Sequence, residues 1–200
     1  MSANMIRTTR LPSRVIPTAT AVAVSTGAAI VLLVVFYAVG GPFGTLNDLA
    51  NALVAVLSAV LAVRTARLGA PLAAVVAAGA GGALIVMGSW LVITGRTGWV
   101  LAGLVGAVGA GALGTWLLTL NLTAGRTGIL SRPVARLGAV SGALTMLGFL
   151  AVPDLLAHVD AWEDLHWSGV LAFMSWLGFY VGYPVWCVLL ARAAGQRRTG

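Results

Sequence analysis

Two regions of this chain gather side chains able to do chemistry. The segment 153–167, PDLLAHVDAWEDLHW, holds both histidines of the sequence and four of its five carboxylates. Imidazole is the side chain that most readily exchanges protons at physiological pH. His158 or His166, working with Glu163 or Asp164, would therefore suit general acid–base catalysis. His158, Asp160, Asp164 and His166 are also metal-ligand types in a symmetric spacing. On one helix, however, the two histidines would stand roughly 12 Å apart along the axis, whereas zinc takes its ligands at roughly 2 Å. The segment contains no glycine to reverse the chain, so no metal site is expected. It reads first as a solvated acidic loop whose Trp162 and Trp167 sit at headgroup depth. Neither histidine is expected to contribute to packing.

The second region is Asn47, Asp48 and Asn51, followed by Ser58. Asn47, Asn51 and Ser58 share one stripe of a helix. Asparagine is costly in hydrocarbon unless it bonds to a neighbouring helix, so interhelical bonding is the first expectation. The mouth of a substrate or ion path is the alternative. Asp48 is the carboxylate that could join the loop in acid–base work. Near the end of the chain, Phe173, Trp176, Tyr180, Tyr183 and Cys187 recur at steps of three and four, forming a helical stripe beside Pro184. Such a stripe is expected to be a packing seam with its tyrosine hydroxyls bonded to other helices. It could also line a pocket for a flat apolar molecule. Asn47, Asn51, Trp176, Tyr180 and Tyr183 are thus the candidate ligand-binding residues, and Asp48, His158, Glu163, Asp164 and His166 the candidate catalytic ones.

Several chemistries are excluded by residue type. All 12 basic residues are arginine. Without lysine there is no Schiff-base cofactor and no phosphate loop ending in Gly-Lys-Ser/Thr. Neither a zinc-protease helix nor a Gly-x-Ser-x-Gly elbow occurs. Cys187 is the single cysteine, so no intrachain disulfide forms. No cofactor is expected.

The elements that must position these residues follow from composition. Of the 200 residues, 60% are hydrophobic and 8% charged, with a mean hydropathy of +0.99. A soluble domain carries roughly 25% charged residues to wet its surface. The surface of this chain must face lipid, and the expected fold is an all-α integral membrane bundle of about six transmembrane helices. The spacing predicts spans over residues 19–39, 46–63, 71–93, 99–120, 135–152 and 168–190. Thr45 or Asn47 is expected to cap the second span, Pro71 to open the third within its first turn, and Pro153 to close the fifth. The first run, about 21 residues, is too long for a signal-peptide core of roughly 7–15 and reads as a retained helix.

Charge sets the expected orientation. Alternating sides from a cytoplasmic start puts every arginine except Arg96, eleven of the 12, on the inside and all five acidic residues outside. That bias predicts both termini in the cytoplasm: a basic N-terminus over 1–18, a transmembrane domain over 19–190 and a basic tail over 191–200. The net charge of +7 is therefore a topology signal, and no nucleic-acid partner is expected. The chain resembles small bacterial six-span proteins in general character, and a bacterial cytoplasmic membrane is the expected location. The lipid bilayer is its expected partner. Small residues repeat every four positions at Gly103, Ala107 and Gly111, at Gly106, Ala110 and Gly114, and at Gly138 and Gly142. These faces suit close helix packing within the bundle, or toward a second copy or another membrane protein. The pentapeptide Ala66–Ala70 echoes 135–139, which in so biased a composition reads as chance. The expected function is a non-enzymatic accessory or small transport-type bundle. The alternative is a membrane-embedded enzyme acting on a lipid-soluble substrate near the outer face with Asp48 and the 153–167 loop.

Overall fold

A chain in hydrocarbon must satisfy its backbone polar groups internally, so apolar runs bounded by arginine and glycine fold as helices. The computed structural model describes residues 14–199, with side chains through Gly195, and among these residues it is helical without strands. Six helices are long and apolar enough to cross a bilayer: α1 Val15–Val39, α2 Phe43–Leu68, α3 Leu72–Ile93, α4 Trp99–Arg126, α5 Arg132–Leu156 and α6 Trp167–Gly195. Such a bundle suits a multi-pass membrane protein. Arg7 and Arg10 of the basic N-terminus, and the side chains of Arg197 and Arg198, lie outside the described residues.

Most helices run further than hydropathy predicts. Their polar ends, such as Arg64 and Arg126, continue the helical ladder while long side chains carry the charge away from lipid. α2 starts at Phe43 with Pro42 in the capping position and no side-chain cap bond. Thr45 and Asn47 therefore lie inside the helix instead of capping it. Pro71 stands just before α3, in extended conformation. Pro153 does not close α5. The helix tightens to a 3₁₀ segment over Leu147–Ala151, then resumes as α-helix over Val152–Leu156 with the proline in its first turn, where a missing N–H breaks no bond. α6 is interrupted too. It widens into a π-turn over Gly178–Gly182 immediately before Pro184, where the absent proline N–H breaks the α-helical ladder. Gly40 and Gly41, both at φ +69°, turn the chain between α1 and α2, a conformation glycine adopts without steric cost.

Sequential helices pack as neighbours, and α6 closes the bundle against α5 and α1. α4 is the most enclosed helix. The small-residue stripes are filled within the bundle. A Cβ on Gly114 would lie 2.7 Å from both the Gly142 carbonyl oxygen and the Met146 nitrogen, and one on Gly88 would lie 2.7 Å from the Ala102 carbonyl oxygen. Gly103 and Gly106 face the rings of Phe173 and Trp176. The outside is apolar, with Val24, Val31, Leu72 and Val181 exposed. The echoing pentapeptides fold differently. Gly69 turns the chain at φ +102° after a 3₁₀ turn, whereas Gly138 lies inside α5 against Asn121.

The backbone contact at Gly114 yields a direct test. Gly114→Ala should lower unfolding free energy in mixed micelles by about 1–3 kcal/mol, the usual cost of overpacking. Gly79→Ala, whose Cβ meets nothing within 4 Å, should leave stability unchanged or raise it.

Candidate functional site

α6 carries its aromatic residues toward α2 and α4, and three of them donate hydrogen bonds across the bundle. The Tyr180 hydroxyl donates to Asn51 Oδ1 at 2.8 Å. The Tyr183 hydroxyl donates to Ser58 Oγ at 2.9 Å, and Trp186 Nε1 donates to Asn121 Oδ1 at 2.8 Å. Ser58 in turn donates to the Val54 carbonyl at 2.7 Å, and the Asn121 amide donates to the Leu117 carbonyl at 2.8 Å. Asn51, Ser58 and Asn121 are all buried. The polar stripe of α2 thus faces the aromatic stripe of α6, which satisfies groups that lipid could not. Tyr183, Trp186 and Trp116 cluster at the lower part of this seam, with Trp116 edge-on to both others at 6.4 and 6.2 Å.

At the upper part of the seam the helices diverge around a cavity of about 640 Å³. Asn47, Asp48 and Asn51 of α2 line one side, and Phe173, Trp176 and Tyr180 of α6 line another. Phe36 and Tyr37 of α1, Ser89 of α3, and Trp99, Gly103 and Gly106 of α4 complete much of the wall. The absence of side chains at Gly103 and Gly106 leaves the Phe173 and Trp176 rings room beside α4. Trp176 and Tyr180 stack with centroids 5.5 Å apart. Asn47 is buried, and its Oδ1 has no hydrogen-bond partner. Asp48 is half-buried and forms no ion pair among the described residues. A volume of this size suits a small organic ligand, for which pockets span roughly 300–1,000 Å³. Among the candidate ligand-binding residues, Asn47, Asn51, Trp176 and Tyr180 line this space. Tyr183 lies in the packed core, 3% exposed, beside a void of only about 10 Å³.

The acidic loop does not supply the cavity with catalytic groups. His158, Glu163, Asp164 and His166 line no part of it, so Asp48 is the one catalytic candidate found there. Nor do three or more His, Cys, Asp or Glu side chains gather in metal-binding geometry among the described residues. The loop acts instead as a clamp. Asp160 accepts hydrogen bonds from the backbone N–H groups of Gly98 at 2.6 Å and Leu101 at 3.0 Å. It thereby caps the start of α4 from a distant segment, where unpaired amides and the helix dipole favour a carboxylate. Trp162 stacks on Trp99 at 5.8 Å and meets Phe173 at 5.2 Å, and both partners are cavity-wall residues.

One expectation for this loop needs correction. Asp154 is fully buried, not part of a solvated segment. Its Oδ1 accepts from the backbone N–H of His166 at 3.2 Å and faces His166 Nδ1. Its Oδ2, with no hydrogen-bond partner, rests against Gly169. His166 gives Asp154 a polar contact at the start of α6 while its side chain stays 65% exposed. The physical reason is that α5 continues past Pro153, carrying Asp154 inward. His158 behaves as expected of a loop residue: it is exposed, at φ +56°.

Sequence reasoning missed Phe36, Tyr37 and Trp99 as cavity residues, because aromatic side chains at span ends ordinarily signal headgroup anchors. It also missed Asn121 and Trp186, whose pairing joins positions 65 residues apart. The lone amide at the end of the fourth apolar span, Asn121, was the available signal.

The chain matches no protein-family model, and comparisons with curated proteins and with solved structures also find no match.

The clamp and the buried carboxylate can each be tested by thermal unfolding in detergent. Asp160→Ala should cost about 1 kcal/mol, the typical value of a helix cap, while Glu163→Ala should be neutral. His166→Ala leaves the buried Asp154 short of a partner and should cost about 1–3 kcal/mol. His158→Gly, which relieves a left-handed residue, should be neutral or stabilising.

Proposed function

We propose that this protein is a non-enzymatic, transport-type membrane bundle that binds a small lipophilic molecule in the cavity between α2, α4 and α6. The observation that carries the reading is a space of about 640 Å³ in which a short polar strip, Asn47, Asp48 and Asn51, faces walls rich in aromatic side chains. Apolar walls with a few placed polar groups are the usual composition of a small-molecule site. Binding is favoured over catalysis because none of the loop carboxylates or histidines lines the cavity, and three of them have contacts elsewhere. Asp160 caps α4, and Asp154 and His166 face one another. One carboxylate with two amides and a tyrosine can hold and orient a molecule, but they do not form a paired acid and base.

We further place the protein in a bacterial cytoplasmic membrane, with both termini in the cytoplasm and the cavity in the outer half. The distribution of arginine supports this orientation. Arg64 reaches the Arg14 carbonyl oxygen at 3.0 Å, which joins two arginine-bearing helix ends. Arg96, at the opposite end, lies over the Trp90 ring at 4.4 Å.

Orientation is tested with single cysteines in a Cys187→Ala background. Positions 128 and 161 should be, respectively, shielded from and open to an impermeant thiol reagent in intact cells. Reversed labelling would overturn the orientation. Ligand binding is tested with protein in lipid nanodiscs, using phenylbutanol as a neutral lipophilic probe and tryptophan emission as the signal. Saturable quenching is expected, because Trp99 and Trp176 line the cavity. It should be lost in Gly103→Leu, whose added Cβ already stands 3.1 Å from the Phe173 ring and whose larger side chain occupies the cavity wall. Quenching that matches empty nanodiscs, or that survives the filled cavity, would overturn the binding reading.

A further inference from the structure

We propose that the cavity is selective for a lipophilic ammonium: a protonated amine carried on an aromatic or alkyl body. This inference rests on the binding reading above and adds the charge of the ligand to it.

The first support is the charge lining the space. Asp48 is the only ionisable carboxylate among the lining residues, and no arginine lines the cavity. No described cation pairs with it. Arg96, the one arginine at this end of the bundle among the described residues, is engaged with Trp90 instead. A carboxylate one to two turns inside a membrane helix is costly unless a counter-charge approaches it. Within this cavity the counter-charge must come from the ligand. An anionic ligand would meet Asp48 unfavourably, and a neutral one would leave it unmatched.

The second support comes from the atoms around that carboxylate. Asn47, one residue before Asp48, is 6% exposed, and its Oδ1 has no partner. That oxygen is enclosed, so the strip's accessible acceptor is Asp48, half-buried on the cavity wall. An ammonium that carries protons can donate to this carboxylate, and charge-assisted bonds of this kind are the stronger class.

The third support is the wall. Trp176 and Tyr180 stack beside the polar strip, while Trp99 and Phe173 stand across from it with centroids 6.3 Å apart. The negative faces of such rings attract a cation, most strongly where water is excluded, and their apolar surface accepts the ligand body. The carboxylate and the aromatic faces therefore favour the same ligand chemistry.

Three probes of one shape separate this inference from the reading it rests on: phenylbutylamine, phenylbutanol and phenylbutyrate, titrated into nanodisc-embedded protein at neutral pH against empty nanodiscs. The amine should bind roughly tenfold or more tightly than the alcohol, and the carboxylate should be the weakest. Asp48→Asn should abolish the preference, so that amine and alcohol bind alike, and thermal unfolding of this variant in detergent reports separately that the bundle remains folded. Equal affinity for amine and alcohol in the parent, or an equal loss for both probes in Asp48→Asn, would overturn the cation inference while leaving the pocket standing. Failure of every probe to bind would overturn the pocket as well.

Discussion

Three hydrogen bonds donated by α6, from Tyr180, Tyr183 and Trp186, fix the relation of this helix to the rest of the bundle. In lipid there is no hydrophobic force between apolar helices, so association depends on close packing and on polar groups that need partners. α6 packs its backbone on α1 and α5, yet its aromatic donors reach past them to acceptors on α2 and α4. That reach defines the interior. Where the donors lie deep, at Tyr183 and Trp186, the space fills with rings. Where α2 turns amides and a carboxylate inward near its start, the same seam opens into the cavity.

The wall opposite α2 depends on a different set of contacts. Glycines along α4 let α3 and α5 approach to backbone contact, which makes α4 the enclosed central post of the bundle. Two of its glycines leave space for Phe173 and Trp176. The 157–166 loop then holds the upper end of the post, with Asp160 on the α4 amides and Trp162 between Trp99 and Phe173. The residues that looked most chemical in sequence are thus largely structural. A polar strip first expected to be glue between helices divides its roles. Asn51 bonds α6, while Asn47 and Asp48 face the open volume.

Much of the fold was legible because lipid imposes a simple code. Length, hydropathy and turn-forming glycine were enough to place six spans. The deviations came where local rules met packing. Pro153 is expected to close α5, but a 3₁₀ turn ahead of it absorbs the lost bond and the helix continues, as a π-turn does ahead of Pro184 within α6. That continuation carries Asp154 into the interior, which hydropathy could not foresee. The aromatic stripe on α6 was visible from its spacing, as was the polar stripe on α2. Their register was not, because pairing Asn51 with Tyr180 depends on helix rotation and on the close approach permitted at Gly178 and Gly182. Trp99 and Tyr37 belong to the site only because the loop and α1 bring them there.

The most direct test of this account is a double-mutant cycle on the bond that joins the polar stripe to the aromatic one. Unfolding free energies in lipid would be measured for the parent, Asn51→Leu, Tyr180→Phe and the double variant. A shared hydrogen bond predicts a coupling energy of about 0.6 kcal/mol, within the range reaching about 1.7 kcal/mol known for membrane helices. Strictly additive effects, with no coupling, would contradict the claim that this seam sets the position of α6 and, with it, the shape of the cavity.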